Sequence, residues 1–214
     1  FLLLFWSFIS FFLALLAKEV SIVFLALLIS LDYVEKRSFK SLFQPQVVFN
    51  YFLYFLVIVI YLWLRQSVLG FALGYERLEL RVWYPADQFD FSQIITVLKV
   101  LYYYLRTLFY PVKLCFECKM LSSDSWKDPV VLVSILVVIL AVGLAISILF
   151  KPSYLGLGIA WFFLGILPVA NIIPLQELAM EHFLYLPSLG FCIFLASWFD
   201  ELIDHFGEKS TLLR

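Results

Sequence analysis

The chain opens with a nearly continuous apolar run over residues 1–34, which one charged pair, Lys18-Glu19, interrupts well before the next charge at Asp32. As one helix this run would extend roughly 51 Å, whereas the hydrocarbon core of a bilayer is about 30 Å thick. Because charges at the bilayer centre cost several kcal/mol, the pair belongs at a membrane surface. The run therefore predicts two crossing helices, residues 1–17 and 20–34, joined by a polar turn.

Composition extends this prediction to the whole chain. Of its 214 residues, 64% are hydrophobic and only 14% are charged, whereas soluble domains carry about a quarter charged residues. The sequence therefore predicts a polytopic membrane protein. Its net charge of -1 excludes a polybasic surface for nucleic acid or anionic lipid as the main feature of the chain, so nucleic acid is not an expected partner.

Further apolar stretches predict an all-α bundle of about six transmembrane helices. The stretches after the opening hairpin are residues 47–64, 129–150, 154–170 and 183–199. Pro168 is expected to break its helix near the end, and Pro187 falls in the first turn of the last helix, where proline is tolerated. The remainder from residue 200 onward is predicted to be a polar tail.

Residues 91–110 have a different pattern, which predicts one interfacial amphipathic helix. Lys99 and Arg106 are seven residues apart, so they share one helical face. The same face carries Tyr102, Tyr103 and Tyr110. The opposite face is apolar, so the basic stripe is expected to face lipid headgroups. If this helix crossed the membrane instead, the polar insert at residues 171–182 would lie on the side opposite Lys18-Glu19.

The loop at residues 35–46 is the densest basic loop and therefore predicts the cytoplasmic side. Its basic residues are Lys36, Arg37 and Lys40. Lys18-Glu19, the 66–128 region and the 171–182 insert are then expected on the external face.

Three polar groups on that face hold the charges for a candidate site. They are Lys18-Glu19, Lys99 with Arg106, and Glu177 with Glu181 and His182. Around an apolar cavity these groups suit a lipid-linked phosphate, because Lys and Arg bind phosphate oxygens and a carboxylate accepts a proton from an attacking hydroxyl. Each group also has a structural interpretation: a turn whose charges reach water, a headgroup-facing stripe, and a helix cap, respectively.

The cysteines and the absence of several short motifs limit the kinds of catalytic and metal site that the chain can contain. Cys115 and Cys118 form a C-x-x-C without a second pair, and Cys192 lies in an apolar stretch, so we expect no metal site. A loop disulfide and two free thiols both remain open for the pair. The sequence contains no metalloprotease, nucleophile-elbow, phosphate-loop or dinucleotide-binding motif.

Four motifs occur along the chain in a distinctive order. They are LAKEVS at 16–21, YLR at 104–106 running to PVKL at 111–114, AWF at 160–162 with LPVAN at 167–171, and EHFLYLPSLG at 181–190. In this order they resemble the membrane portion of the transmembrane and tetratricopeptide-repeat O-mannosyltransferases and their bacterial relatives. The resemblance covers most of the chain, and the last motif is its most specific part.

That resemblance implies a GT-C glycosyltransferase fold in the endoplasmic reticulum membrane or a bacterial inner membrane. It implies transfer of a hexose such as mannose from a polyprenyl-phosphate donor to a protein or glycan hydroxyl on the lumenal or periplasmic face. No metal or other cofactor is expected. The chain begins with Phe and no basic leader, so we expect residues 1–214 to be one transmembrane domain of a longer protein. The catalytic acid is then expected in a loop before residue 1, and helical repeats after residue 214.

By matched position, the resemblance implies roles for six residues. Lys18, Arg106 and His182 are expected to contact the phosphate or the donor, although arginine often stands in the family where this chain has His182. Glu19 and Glu181 are expected to orient these groups or the acceptor, and Tyr185 to form a wall of the donor site.

Two other functions are compatible with the apolar spans. A transporter would use proline-broken helices, such as the one ending at Pro168, to build a substrate site. It predicts a repeat between the two halves of the chain, and none is evident. A non-catalytic membrane scaffold would use the charged groups only as turns, so replacing Lys18 or Glu181 would leave transfer activity intact.

Overall fold

The computed structural model describes residues 2–70, 91–112, 114, 128–149, 152–170, 172 and 179–211. Within these ranges the chain forms seven α-helices and no strand, which confirms the all-helical prediction. The helices are α1 (Leu2–Ala17), α2 (Phe24–Lys36), α3 (Pro45–Leu69), α4 (Phe91–Phe109), α5 (Pro129–Leu149), α6 (Tyr154–Ile166) and α7 (Tyr185–Thr211). Short 3₁₀ turns cover Glu19–Val23, Phe39–Phe43, Leu167–Val169 and Glu181–Leu184.

Local sequence signals fix several helix ends. Pro45 occupies the start of α3, where its missing N–H costs nothing, and Gly70 ends that helix with a left-handed backbone at φ 82°. Ser153 caps α6 by accepting a bond from the Gly156 amide at 3.1 Å. As predicted, Pro168 ends α6, which closes in a 3₁₀ turn, and Pro187 lies in the first turn of α7.

Two predicted boundaries were wrong. The helix expected from residue 20 begins at Phe24, because Glu19–Val23 forms a 3₁₀ turn. The last helix does not end at residue 199 but continues to Thr211 through the segment predicted to be a polar tail.

Length and composition mark three stretches as able to cross a membrane: Pro45–Leu69, Pro129–Ile148 and Glu181–His205. The apolar helices Leu2–Ala17 and Tyr154–Val169 are shorter. The six-span arrangement therefore stays a prediction.

Helices α6 and α7 form the most extensive helix–helix contact in the described part of the chain. A Cβ atom built on Gly158 would lie 2.4 Å from the Phe194 backbone nitrogen, and one built on Gly190 would lie 2.4 Å from the Phe162 nitrogen. The two backbones therefore touch at these glycines, and any larger residue would force the helices apart.

Helix α4 packs against this pair and buries part of its basic stripe. Val100 and Tyr104 are fully buried against Phe162 and Ile166 of α6. Lys99 is only 5% exposed, and its ammonium lies 3.0 Å from a carboxylate oxygen of Asp128, the residue before α5. The prediction of a headgroup-facing Lys99 was therefore wrong.

Candidate functional site

The site begins at the turn between α1 and α2. Lys18 has an extended backbone, φ -156° and ψ 125°, so its side chain and that of Glu19 point in different directions. Glu19 accepts a hydrogen bond from the guanidinium of Arg65 in α3. Arg65 is 8% exposed and also donates to the Tyr61 hydroxyl at 3.2 Å. Glu19 is thus engaged by α3, and its charge does not neutralise Lys18.

The Lys18 side chain points toward Phe183, which comes just before α7. Its ammonium lies 5.5 Å from the centre of the Phe183 ring, within the range of a cation–π contact. Among the residues that the structure describes, no carboxylate forms an ion pair with Lys18. The ammonium therefore keeps its positive charge available at the surface it lines.

That surface is a cavity of about 470 Å³ between α1, α2, α6 and the Glu181–Leu184 turn, here called the central cavity. Its walls are mostly apolar, with Phe11, Phe24 and Leu27 among them. Its polar lining residues are Ser7, Ser10, Lys18, Ser21, Trp161, His182 and Tyr185. A long apolar wall with two basic side chains suits an amphipathic ligand that carries an anionic group.

A second space, of about 630 Å³, shares Lys18, His182 and Tyr185 with the central cavity. We call it the outer cavity. Its lining adds Glu181 and Ser188, and Tyr185 is 86% exposed. The two cavities therefore meet at a basic pair, and a carboxylate faces only the outer one.

Two tyrosines of α4 hold the Glu181–Leu184 turn in place. The Tyr103 hydroxyl donates to a Glu181 carboxylate oxygen at 3.3 Å. The Tyr104 hydroxyl accepts a bond from the Met180 amide at 3.3 Å. Burial raises the pKa of Tyr104, so this hydroxyl stays protonated throughout the physiological range. Helix α4 thus contributes to the site by positioning its acidic residue.

The structure brings together four of the six site residues predicted from the sequence. Lys18, Glu181, His182 and Tyr185 line one continuous surface. Glu19 lies next to it but bonds to Arg65. Arg106 is exposed, donates to the Val112 carbonyl at 3.4 Å, and lines neither cavity.

Other sequence predictions fall elsewhere. Glu177, Cys115 and Cys118 lie outside the described residues, and Cys192 is an exposed free thiol. Within the described ranges, no group of three or more His, Cys, Asp or Glu residues is placed to hold a metal ion.

Sequence reasoning missed two residues of this region. The span predicted at residues 47–64 stops before Arg65, although a single arginine in a long apolar helix is a signal for a partner in the fold. Trp161 was treated as part of a motif. It lines the central cavity, and its indole nitrogen is buried with no hydrogen-bond partner in the described part of the chain.

In its described part the chain is all-helical, with three helices able to cross a membrane, and its mostly apolar central cavity is lined by one lysine and one histidine. The chain is 26% identical over 207 residues to a protein O-mannosyl-transferase of Caenorhabditis elegans, an alignment that covers 92% of this chain. The aligned region is 28% of the relative, so the chain spans less than a third of that protein's length. No protein-family model and no solved structure matches the chain. The alignment supports a distant relationship to an O-mannosyltransferase.

Proposed function

We propose that this chain is part of a membrane glycosyltransferase that moves a hexose from a polyprenyl-phosphate donor to a hydroxyl of a protein or glycan. The observation that carries the proposal is the meeting of Lys18 and His182, from opposite ends of the chain, in one cavity with apolar walls. The distant O-mannosyltransferase relative supports the same class of reaction.

The proposed roles follow from charge and placement. Lys18 contacts the donor phosphate through charge-assisted hydrogen bonds, and His182 lies beside it as a second donor. The apolar wall around Phe24 and Leu27 takes the first part of the polyprenyl chain, since burying each methylene is worth about 0.8 kcal/mol. Tyr185 flanks the phosphate where the two cavities meet.

Glu181 is proposed to orient the acceptor from the outer cavity, where Tyr103 fixes one of its oxygens. Glu19 is proposed to act indirectly, by holding the turn that presents Lys18. Arg106 has no role in this proposal because it lines neither cavity. The base that takes the acceptor proton is proposed to lie in the external loop implied by the family resemblance, outside residues 1–214.

The test is donor binding and sugar transfer by the full-length protein carrying Lys18→Met. Loss of a charged hydrogen-bond donor is worth about 1.5 to 3 kcal/mol, so the affinity for polyprenyl phosphate should fall by roughly tenfold or more. Lys36→Met is the matched control, because Lys36 pairs with Asp32 at 2.9 Å and lines neither cavity.

Two results would contradict the proposal. One is equal donor affinity for Lys18→Met and Lys36→Met. The other is a wild-type protein that transfers no sugar from any polyprenyl-phosphate donor but moves a solute across sealed vesicles, which would favour the transporter.

A further inference from the structure

A third cavity lies on the other side of α2, and its lining is almost entirely apolar, with Ser30 and Tyr33 as its polar residues. It has a volume of about 510 Å³ and is lined by α2, the Phe39–Phe43 turn, α5 and α6. Along α2 it extends from Ala26 to Val34, away from the end that carries Lys18. We call this space the lateral groove.

The lateral groove ends at a surface that combines exposed aromatic rings with exposed cations. Phe39 and Phe43 are 65% and 66% exposed, and their ring centres lie 5.3 Å apart. Arg37 and Lys40 are exposed beside them. Exposed phenylalanines next to basic side chains are typical of a segment that sits at the boundary between acyl chains and headgroups.

The charges at this end are not all free. Lys36 pairs with Asp32 at 2.9 Å, and the Tyr51 hydroxyl donates to the same carboxylate at 2.6 Å. Glu35 is exposed nearby. Arg37 and Lys40 remain as exposed cations on the segment that closes the groove, so an anion is the complementary headgroup.

We propose that the lateral groove holds an acyl chain of an anionic phospholipid whose phosphate lies against Arg37 and Lys40. The groove supplies a mostly apolar surface for the chain, and the two cations select the headgroup. The short Ser38 linker places both cations within a few residues of the groove residues Val34 and Phe39. This site is separate from the central cavity, and it does not depend on the proposed glycosyltransferase activity.

The first test measures lipid selectivity in the wild-type full-length protein. The purified protein in detergent is titrated with phosphatidylglycerol, with phosphatidylcholine of the same acyl chains, and with inorganic phosphate. We expect phosphatidylglycerol to remain bound in native mass spectra and to raise the melting temperature, with little effect of the other two. Equal effects of the two lipids, or a full effect of inorganic phosphate, would overturn the proposal.

The second test removes the two cations. Arg37 has a left-handed backbone, φ 48°, so Arg37→Asn is chosen because Asn tolerates that conformation. Combined with Lys40→Gln, it should lower phosphatidylglycerol affinity roughly thirtyfold, the change that about 1 kcal/mol per basic residue gives. Arg106→Gln removes an exposed cation far from the groove in sequence and should leave the affinity for phosphatidylglycerol unchanged. An unchanged affinity in the double variant would overturn the proposed headgroup site.

The third test fills the groove. Val142 lines the groove and is 40% exposed, so Val142→Trp should exclude the acyl chain without disturbing the core. Val133 lies on the same helix, is 45% exposed and does not line the groove, so Val133→Trp is the matched control. Retention of phosphatidylglycerol by Val142→Trp, or equal loss in both variants, would show that the chain lies elsewhere.

Discussion

Two helix pairs, α6 with α7 and α1 with α3, are held together by different forces, and at least one helix of each pair lines the central cavity. Helices α6 and α7 meet through backbone contact at Gly158 and Gly190. Helices α1 and α3 meet through aromatic packing and polar bonds: Ser7 to Tyr54 at 2.6 Å, and the ion pair of Glu19, just after α1, with Arg65. The first pair depends on missing volume, whereas the second depends on matched polar partners.

The comparison indicates which of the two helix pairs tolerates substitution at its contact. Lipid tails are as apolar as the helix surfaces, so burial in a membrane gives little drive for association, and close contact or polar bonds must supply it. Where two backbones touch, no side chain can change its rotamer to make room for an added atom. A contact between side chains can weaken in steps as each bond is removed.

The largest expected effect is the loss of the backbone contact. Gly158→Ala places a methyl group 2.4 Å from the Phe194 nitrogen, so we expect destabilisation of about 3 kcal/mol, at the upper end of the overpacking range. Unfolding of the full-length protein in mixed micelles measures the effect. Gly165→Ala should cost less, because its nearest new contact is 3.3 Å away.

The matched control is Gly143→Ala, since a Cβ atom there meets nothing within 4 Å. Alanine is a better helix former than glycine by up to about 1 kcal/mol, so this variant should be neutral or slightly more stable. If Gly158→Ala and Gly143→Ala unfolded alike, the close approach of α6 and α7 would be refuted.

The next largest effect is expected at the Glu19–Arg65 ion pair, where replacing either residue should lower the stability by a different amount. Glu19→Ala leaves the buried Arg65 guanidinium without its carboxylate, which should cost about 2 kcal/mol, below the range for fully buried pairs because Glu19 is 37% exposed. Arg65→Met should cost about 1 kcal/mol, because the more exposed Glu19 regains water. A double-mutant cycle in the same unfolding assay isolates the coupling. A larger cost for Arg65→Met than for Glu19→Ala would contradict this account.

The smallest effect is expected at the Ser7–Tyr54 bond. Tyr54→Phe keeps the ring, which packs 4.6 Å from the centre of the Phe8 ring, and removes only the hydroxyl. Membrane hydrogen bonds average about 0.6 kcal/mol, so the loss should be about that size. Ser147→Ala is the control, because within the described residues the exposed Ser147 hydroxyl bonds to the Leu144 carbonyl of its own helix and to no other helix. A cost for Tyr54→Phe equal to that for Gly158→Ala would remove the distinction between the two helix pairs.

Features set by neighbouring residues could be predicted from the sequence. The apolar runs predicted the helices because a long run without charges has few other stable forms in a membrane. Pro168 and Pro187 predicted a helix end and a first turn because proline acts on its own backbone.

Features that depend on residues far apart in the chain could not be predicted from the sequence. The stripe argument placed Lys99 toward headgroups, since periodicity cannot show that Asp128, 29 residues later, would pair with it. Likewise, the sequence cannot show that the carboxylate of Glu19, next to Lys18 in the chain, bonds to Arg65, 46 residues away. Within the candidate site, charge alone found Lys18, Glu181 and His182, but it could not find Trp161, a neutral side chain that lines the cavity only through the packing of α6.

The extended backbone at Lys18 makes the order of two neighbouring residues carry information that their composition does not. Exchanging them, with Lys18→Glu and Glu19→Lys, would leave the length, hydrophobicity and net charge of the chain unchanged. The exchange would nevertheless set a lysine against the buried Arg65 and turn a carboxylate toward the central cavity. The charge of the side chain that this turn presents to the central cavity is therefore set by the sequence order of a single dipeptide.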